Sequence, residues 1–309
     1  MNYLRTEHFR GDRLPWQQVI DHDYMFPREQ FYGLVDGAMN EHFLTELRER
    51  WPAQAWRSMY AELPEGSHPE VSPLLLTIAI DDLGNKIFSR LLRYQRNHPE
   101  SLMFLWSESS IGDLAVHLGR HAAITTSEGK RALLRLHDPN IWPAALAVQT
   151  DEERAQFFSR ISEAWFSDLD KTWWRDRRTH PIEPHLFDPP AWNMDRHARF
   201  LALTQPRKLL LRLEEDHAEE ITGERVMWLK KIAGWTAQAD RLGIASPDEL
   251  YVFCVASIYA GEHFYEAREV ASALKEIGTR YDCFADAMQA IPFEVWDRIG
   301  QINHTEARQ

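Results

Sequence analysis

Residues 72–80, SPLLLTIAI, form an unbroken apolar run of strand length. A strand with one wet face alternates apolar and polar residues, so a run without polar breaks implies a strand covered on both faces. Downstream, Asp81 and Asp82 precede the helical stretch LGNKIFSRLLRYQR (83–96). SLMFLWS (101–107) then reads as a strand, and SIGDLAVHLGRHA (110–122) as a helix capped by Ser109 or Ser110. Upstream, QFYGLVDGA (30–38) reads as a strand closing on the turn pair Asp36-Gly37. NEHFLTELRERW (40–51) follows as a helix, with Asn40 at its N-cap and Phe43, Leu44 and Leu47 on one face. AWRSMY (55–60) alternates like a strand.

Further along, KRALLRL (130–136) is expected as a strand, DEERAQFFSRI (151–161) as a helix and EAWFS (163–167) as a last short strand. Strands and helices alternating at this spacing predict an α/β (α+β) lobe over residues 1–168, with a mixed, mostly parallel sheet flanked by helices. Residues 169–191 hold four prolines among aromatics and show no clean period, which suggests a packed linker. Residues 192–309 read as an all-helical lobe. There Pro206 is expected to open a helix closed by Gly223, and Ser246-Pro247 starts another.

Composition narrows the function. The 309 residues carry a net charge of −12, which disfavours binding by phosphate neutralisation, and WWRDRRTH (173–180) is only a short basic patch. The longest apolar run, Leu250 to Ala260, is too short to span a bilayer. No apolar leader follows the amino terminus. Two cysteines, Cys254 and Cys283, suggest neither a disulfide framework nor a zinc site and fit a reducing compartment. Neither nucleic acid nor a membrane is therefore expected as a partner, and a cytoplasmic protein is.

No glycine-rich phosphate loop, nucleophile elbow or HExxH helix is present. Glu262, His263 and Glu266 share a helix face, but their order reverses the Glu-x-x-His pattern of bundle metal sites, so a solvated face is the better reading. His180, His185 and His197 lack any ligand spacing. Neither a metal nor another cofactor is expected.

LLRLHDPNIWPAAL (133–146) raises the sharpest question, because His137 and Asp138 follow a strand-like run, where active sites often lie. A carboxylate in this position can equally accept backbone N–H groups while Pro139 fixes the turn. A helix would then start near Pro143. The turn reading needs no partner, whereas catalysis needs a nucleophile and base that the sequence does not identify.

YGLVDGA, SPLLLTIAI, SLMFLWSE and LLRLHDPNIW, in this order and spacing, resemble the bacterial family known as domain of unknown function 4123. The likeness runs from about Phe31 to Asp168, and RLGIASPDELYVFCVASIYAGEHF resembles a helical tail often seen in that family. Two details depart from its pattern: His137 stands where an aromatic usually precedes Asp-Pro, and Leu136 also replaces a common aromatic. The resemblance implies an adaptor chaperone of the type VI secretion system, without catalytic residues. Such a protein binds a cognate secreted effector in the bacterial cytoplasm and promotes its loading onto the VgrG spike protein. Asp36, Arg135, Asp138 and Pro139 match the family signature and are read as fold determinants.

Twelve tryptophans suggest either a heavy core or aromatic partner surfaces. Trp142, Trp173, Trp174, Trp192, Trp228 and Trp235 are the candidates for partner contact, with the helical lobe and linker expected to select the client. The competing readings are a hydrolase or transferase using His137 and Asp138 with Asp36 nearby, and a structural subunit of a larger assembly.

Overall fold

A computed structural model describes residues 4–9, 14, 16–39, 49, 55–68, 72–98, 101–168, 172–180, 182–183 and 191–306. The helix expected over 40–51, with Asn40, Phe43, Leu44 and Leu47, lies outside the described residues except at position 49. The chain divides into two compact units, Met1–Leu201 and Ala202–Gln309.

In chain order the first unit contains β1 (Leu4–His8), α1 (Trp16–Met25), β2 (Gln30–Asp36), β3 (Trp56–Ser58), β4 (Pro73–Ile78), α2 (Asp82–Asn97) and β5 (Leu102–Ser107). There follow α3 (Ile111–Ala122), β6 (Ala123–Thr125), β7 (Arg131–Leu133), α4 (Trp142–Ala147), α5 (Asp151–Phe157), β8 (Glu163–Ser167) and β9 (Trp173–Arg178). Seven strands build one sheet in the order β1-β9-β8-β5-β2-β4-β3.

Every neighbouring pair in that sheet is antiparallel, which overturns the expectation of a mostly parallel sheet. The reason lies in what an apolar run reports. On β2 and β5, Tyr32, Leu34, Met103 and Leu105 enter one core, packed with Leu118, Trp142 and Phe157 of α3 to α5. Phe31, Val35, Phe104 and Trp106 enter the other, with Val19 of α1 and Ile87, Phe88 and Leu91 of α2. Both faces are dry, and that makes a strand continuously apolar whichever way its neighbours run. Because β4 and β5 each lie antiparallel to β2, they run parallel to each other with β2 between them. The β4-α2-β5 crossover that the sequence suggested is therefore present, but split by an inserted strand.

Two further expectations are corrected in this unit. Residues 169–191 are not simply a linker, since 173–178 form β9, paired with both β8 and β1. The KRALLRL strand shrinks to Arg131–Leu133, which pairs with β6 in a separate two-stranded sheet. His137 and Asp138 thus stand in the turn segment beyond β7 rather than at the end of a strand of the main sheet. Of the two cap candidates for α3 it is Ser110 that accepts the Asp113 N–H, and Asp81 caps α2 by accepting the Gly84 N–H at 2.7 Å.

The remaining helices are α6 (Met194–Asp216), α7 (Arg225–Arg241), α8 (Pro247–Ala260), α9 (Arg268–Lys275), α10 (Phe284–Gln289) and α11 (Phe293–Glu306). Pro206 lies inside α6 rather than opening a new helix, and α6 stops at Asp216, before Gly223. A buried proline ring can sit mid-helix where packing outweighs one lost backbone bond. Helix α7 ends in a Gly243 with φ of 79°, the Ile244 N–H reaching back to the Ala239 carbonyl at 2.9 Å. In the second unit Phe253 packs against Phe264 and Phe284 at 4.9 and 5.7 Å between ring centres. Cys254 is buried beside them, and burial pushes its thiol up to about 12.

Candidate functional site

The signature residues, 99 positions apart at their extremes of contact, meet at the end of β2. The backbone N–H of Asp36 donates to the Ser101 carbonyl at 2.9 Å. Its buried carboxylate accepts the Ala38 N–H at 3.0 Å on one oxygen. The other oxygen accepts from Arg135 Nη2 at 2.9 Å and lies 3.4 Å from His137 Nε2. Burial alone would raise the Asp36 carboxyl, but the His137 hydrogen bond and charge, the Ala38 N–H and Arg135 outweigh it. The group therefore sits below the ordinary aspartate value.

Asp138 works through its backbone as much as its side chain. Its carbonyl accepts the N–H groups of Ile141 and Trp142 at 2.9 and 3.0 Å, closing the turn and starting α4. Its carboxylate accepts the Asn140 N–H at 2.9 Å and faces Arg135 Nε at 3.9 Å. Here burial dominates and raises the carboxyl despite those contacts. Pro139 follows Asp138 in the turn, where its fixed φ suits the bend. The carboxylate-braced turn and the helix start near Pro143 are thus as the sequence suggested.

The network continues into the sheet. Trp142, fully buried at the head of α4, donates its indole N–H to Asp176 Oδ2 at 2.8 Å. Asp176 Oδ1 accepts from the Thr6 hydroxyl at 2.6 Å, joining β9 to β1. Burial raises the Asp176 carboxyl against these two donors. No motif announced Asp176; the visible signal was an aspartate interrupting the basic run of β9.

A second buried cluster was also missed. Glu163, with no exposed surface, accepts from the Trp165 indole at 2.5 Å, and Arg177 Nε stands 3.0 Å from its other oxygen. His22 stacks on Trp106 at 3.9 Å, its two nitrogens facing Glu29 at 2.7 Å and Glu163 at 3.8 Å. Carboxylates on opposite sides of one imidazole do not converge on a point, and among the described residues no trio of His, Cys, Asp or Glu could hold a metal.

His137 with Asp36 has the form of an oriented base. Both are 4% exposed, and His137 Nδ1 has no hydrogen-bond partner among the described residues, so no nucleophile there stands within reach. What the cluster does physically is tie a turn to a strand end.

The tryptophans divide. Trp142, Trp173, Trp192 and Trp235 are buried core residues. Trp174 is half-buried and donates to Asp168 at 2.8 Å; Trp228 is half-buried, donating to the Thr222 carbonyl at 2.8 Å beneath Lys231. Four of the six partner-contact candidates are therefore buried. His180 is exposed, His197 is half-buried and His185 lies outside the described residues. Glu262 turns to Lys231 at 3.9 Å, and His263 faces Glu266 at 3.4 Å. Trp296, which the sequence did not single out, borders an open groove with Phe293; their spacing of three with Gly300 beyond was the available signal.

Among the described residues no helix is long and apolar enough to cross a membrane. No curated protein and no solved structure matches the chain. A family model does match, over residues 31–156, a span that opens on β2, closes in α5 and contains Asp36, Arg135, Asp138 and Pro139. Across that span, about two fifths of its length, the chain is similar to the family described as Domain of unknown function (DUF4123).

Proposed function

We propose that this chain is a non-catalytic adaptor chaperone of a type VI secretion system. It binds a cognate effector in the bacterial cytoplasm and promotes its loading onto a VgrG spike protein. The observation that carries this reading is the family match over residues 31–156, a family associated with such adaptors. The burial of the signature cluster supports it: Asp36 and His137 are each 4% exposed, and the Asp36 carboxylate is engaged by Ala38, Arg135 and His137. The net charge of −12 suits a protein client with basic segments and disfavours nucleic acid and anionic membranes as partners.

The test is affinity capture of the tagged chain from its native cytoplasm, with mass spectrometry of what co-purifies. A secreted toxin together with a spike protein is the expected result. Recovery of neither, or a measurable turnover abolished by Asp138→Asn in a well-folded protein, would overturn the reading.

A further inference from the structure

The second unit carries an apolar groove of about 710 Å³ between α8 and the α10-α11 pair. Val252, Val255 and Tyr259 line one wall at spacings of three and four, so they share one face of α8. Met288, Phe293 and Trp296 line the other. Met288 is buried at the floor, whereas Phe293 is 80% exposed and Tyr259 48%. Large apolar side chains left in water around a concave surface mark a place of association.

The rim has a definite charge. Asp297 lines the groove, and Asp286 and Glu294 stand exposed on the same two helices. Among the described residues none of these three has a cationic partner; Asp297 accepts only from the Gln301 amide, at 2.9 Å. Arg298, next to Asp297 in sequence, is committed elsewhere, to Glu269. An apolar groove with the unpaired carboxylate of Asp297 in its lining, and two more exposed on the helices that carry that wall, complements a helix that is apolar on one face and basic beside it. A second copy of the chain would bring the same carboxylates together, and an anionic surface would meet them with like charge.

We propose that the α8/α10-α11 groove binds a cationic amphipathic α-helix of a partner protein. Aliphatic side chains three and four apart enter between Tyr259 and Phe293, and a lysine or arginine reaches Asp297. As a description of how a client is held, this rests on the adaptor reading; as a binding property of the groove, it does not.

The test uses the full chain and a fluorescein-labelled Leu/Lys peptide about 14 residues long, the length of α8, with leucines at helical spacing. A Leu/Glu peptide of the same pattern and a scrambled Leu/Lys peptide are the comparisons. Anisotropy titration is expected to show at least tenfold tighter binding of the patterned Lys peptide. Phe293→Ser should remove that advantage, and Asp297→Lys should shift preference towards the Glu peptide, both without a change in melting temperature. Equal binding of all three peptides, or indifference to Phe293→Ser, would overturn the proposal. So would a concentration-dependent dimer that Phe293→Ser dissolves, which would assign the groove to a second copy. Capture of effector and spike by Phe293→Ser as well as by wild type would sink the groove as client site while leaving the adaptor reading intact. Tight, Phe293-dependent peptide binding without captured effector would do the reverse.

Discussion

Trp142 in the first unit and Phe293 in the second are two large aromatics in opposite settings. In the first, Trp142 is fully buried and its N–H is met by a buried carboxylate; in the second, Phe293 stands 80% exposed beside a groove. The family signature lies entirely in the closed setting, where it orders a turn, while the open surface lies outside the matched span. A recognisable motif and an available surface are thus different properties of this chain. The motif reports what keeps the fold together, and association belongs to residues that the fold leaves uncovered.

Substitution should separate these regions most strongly at Trp142. Trp142→Ala removes a buried indole and strips Asp176 of a donor, so a loss of about 4–5 kcal/mol in urea unfolding is expected. A loss below about 1 kcal/mol would mean the first unit is looser than its packing implies. Acid is the next probe. Burial holds His117 at about 4 and His121 at about 2, both below the free imidazole value. The unfolded chain therefore takes up protons first as pH falls. This contribution to stability is complete about a pH unit above the free imidazole value and erodes as pH falls, the His117 share down to about pH 4 and the His121 share down to about pH 2, with roughly 2–4 kcal/mol gone at about pH 5. Unfolding curves of a His117→Gln/His121→Leu variant should be visibly flatter across that range; an unchanged slope would refute the assignment.

Asp36→Ala comes third, with an expected cost of about 2 kcal/mol, moderated because its Arg135 partner is half-exposed and can turn to water. Arg135→Lys should cost less, keeping the charge but not the guanidinium geometry. Denaturation midpoints of the two variants decide whether the cluster stabilises the fold as its contacts imply. Smallest of all, Phe293→Ser should change stability by no more than about 0.5 kcal/mol. A large loss there would show the groove to be structural and erase the contrast between the units.

Much of this architecture could be read from residues alone. The strands at 30–36, 73–78 and 102–107 were legible because burial on both faces writes an apolar run into the chain. Their direction was not legible, because two-sided burial is the same in parallel and antiparallel sheets. β9 escaped because Arg175, Asp176 and Arg177 break the apolar pattern, and their acceptable partners, Glu7, Glu163, Thr6 and Trp142, are distant in sequence. The Asp138 turn was legible since its contacts are local, within four residues. The Asp36 to Arg135 pair was visible as two signature positions but not as a contact. The groove was hidden for a simpler reason: Val252 and Trp296 look like core positions in a helical pattern, and only packing reveals which of them lack a cover.

The pairing of β1 with β9 sets a schedule for synthesis. Thr6 and Asp176 are 170 residues apart, yet they share a hydrogen bond at one edge of the sheet. At ordinary ribosomal speeds, β1 waits on the order of ten to thirty seconds for its partner to be made. The sheet can grow from β2, β4 and β5 meanwhile, but its β1 edge closes only after β9 has been translated. A nascent chain stalled before residue 173 would leave β1 without β9, its only neighbour in the sheet among the described residues, making the last strands of this unit the step that commits it to its native edge.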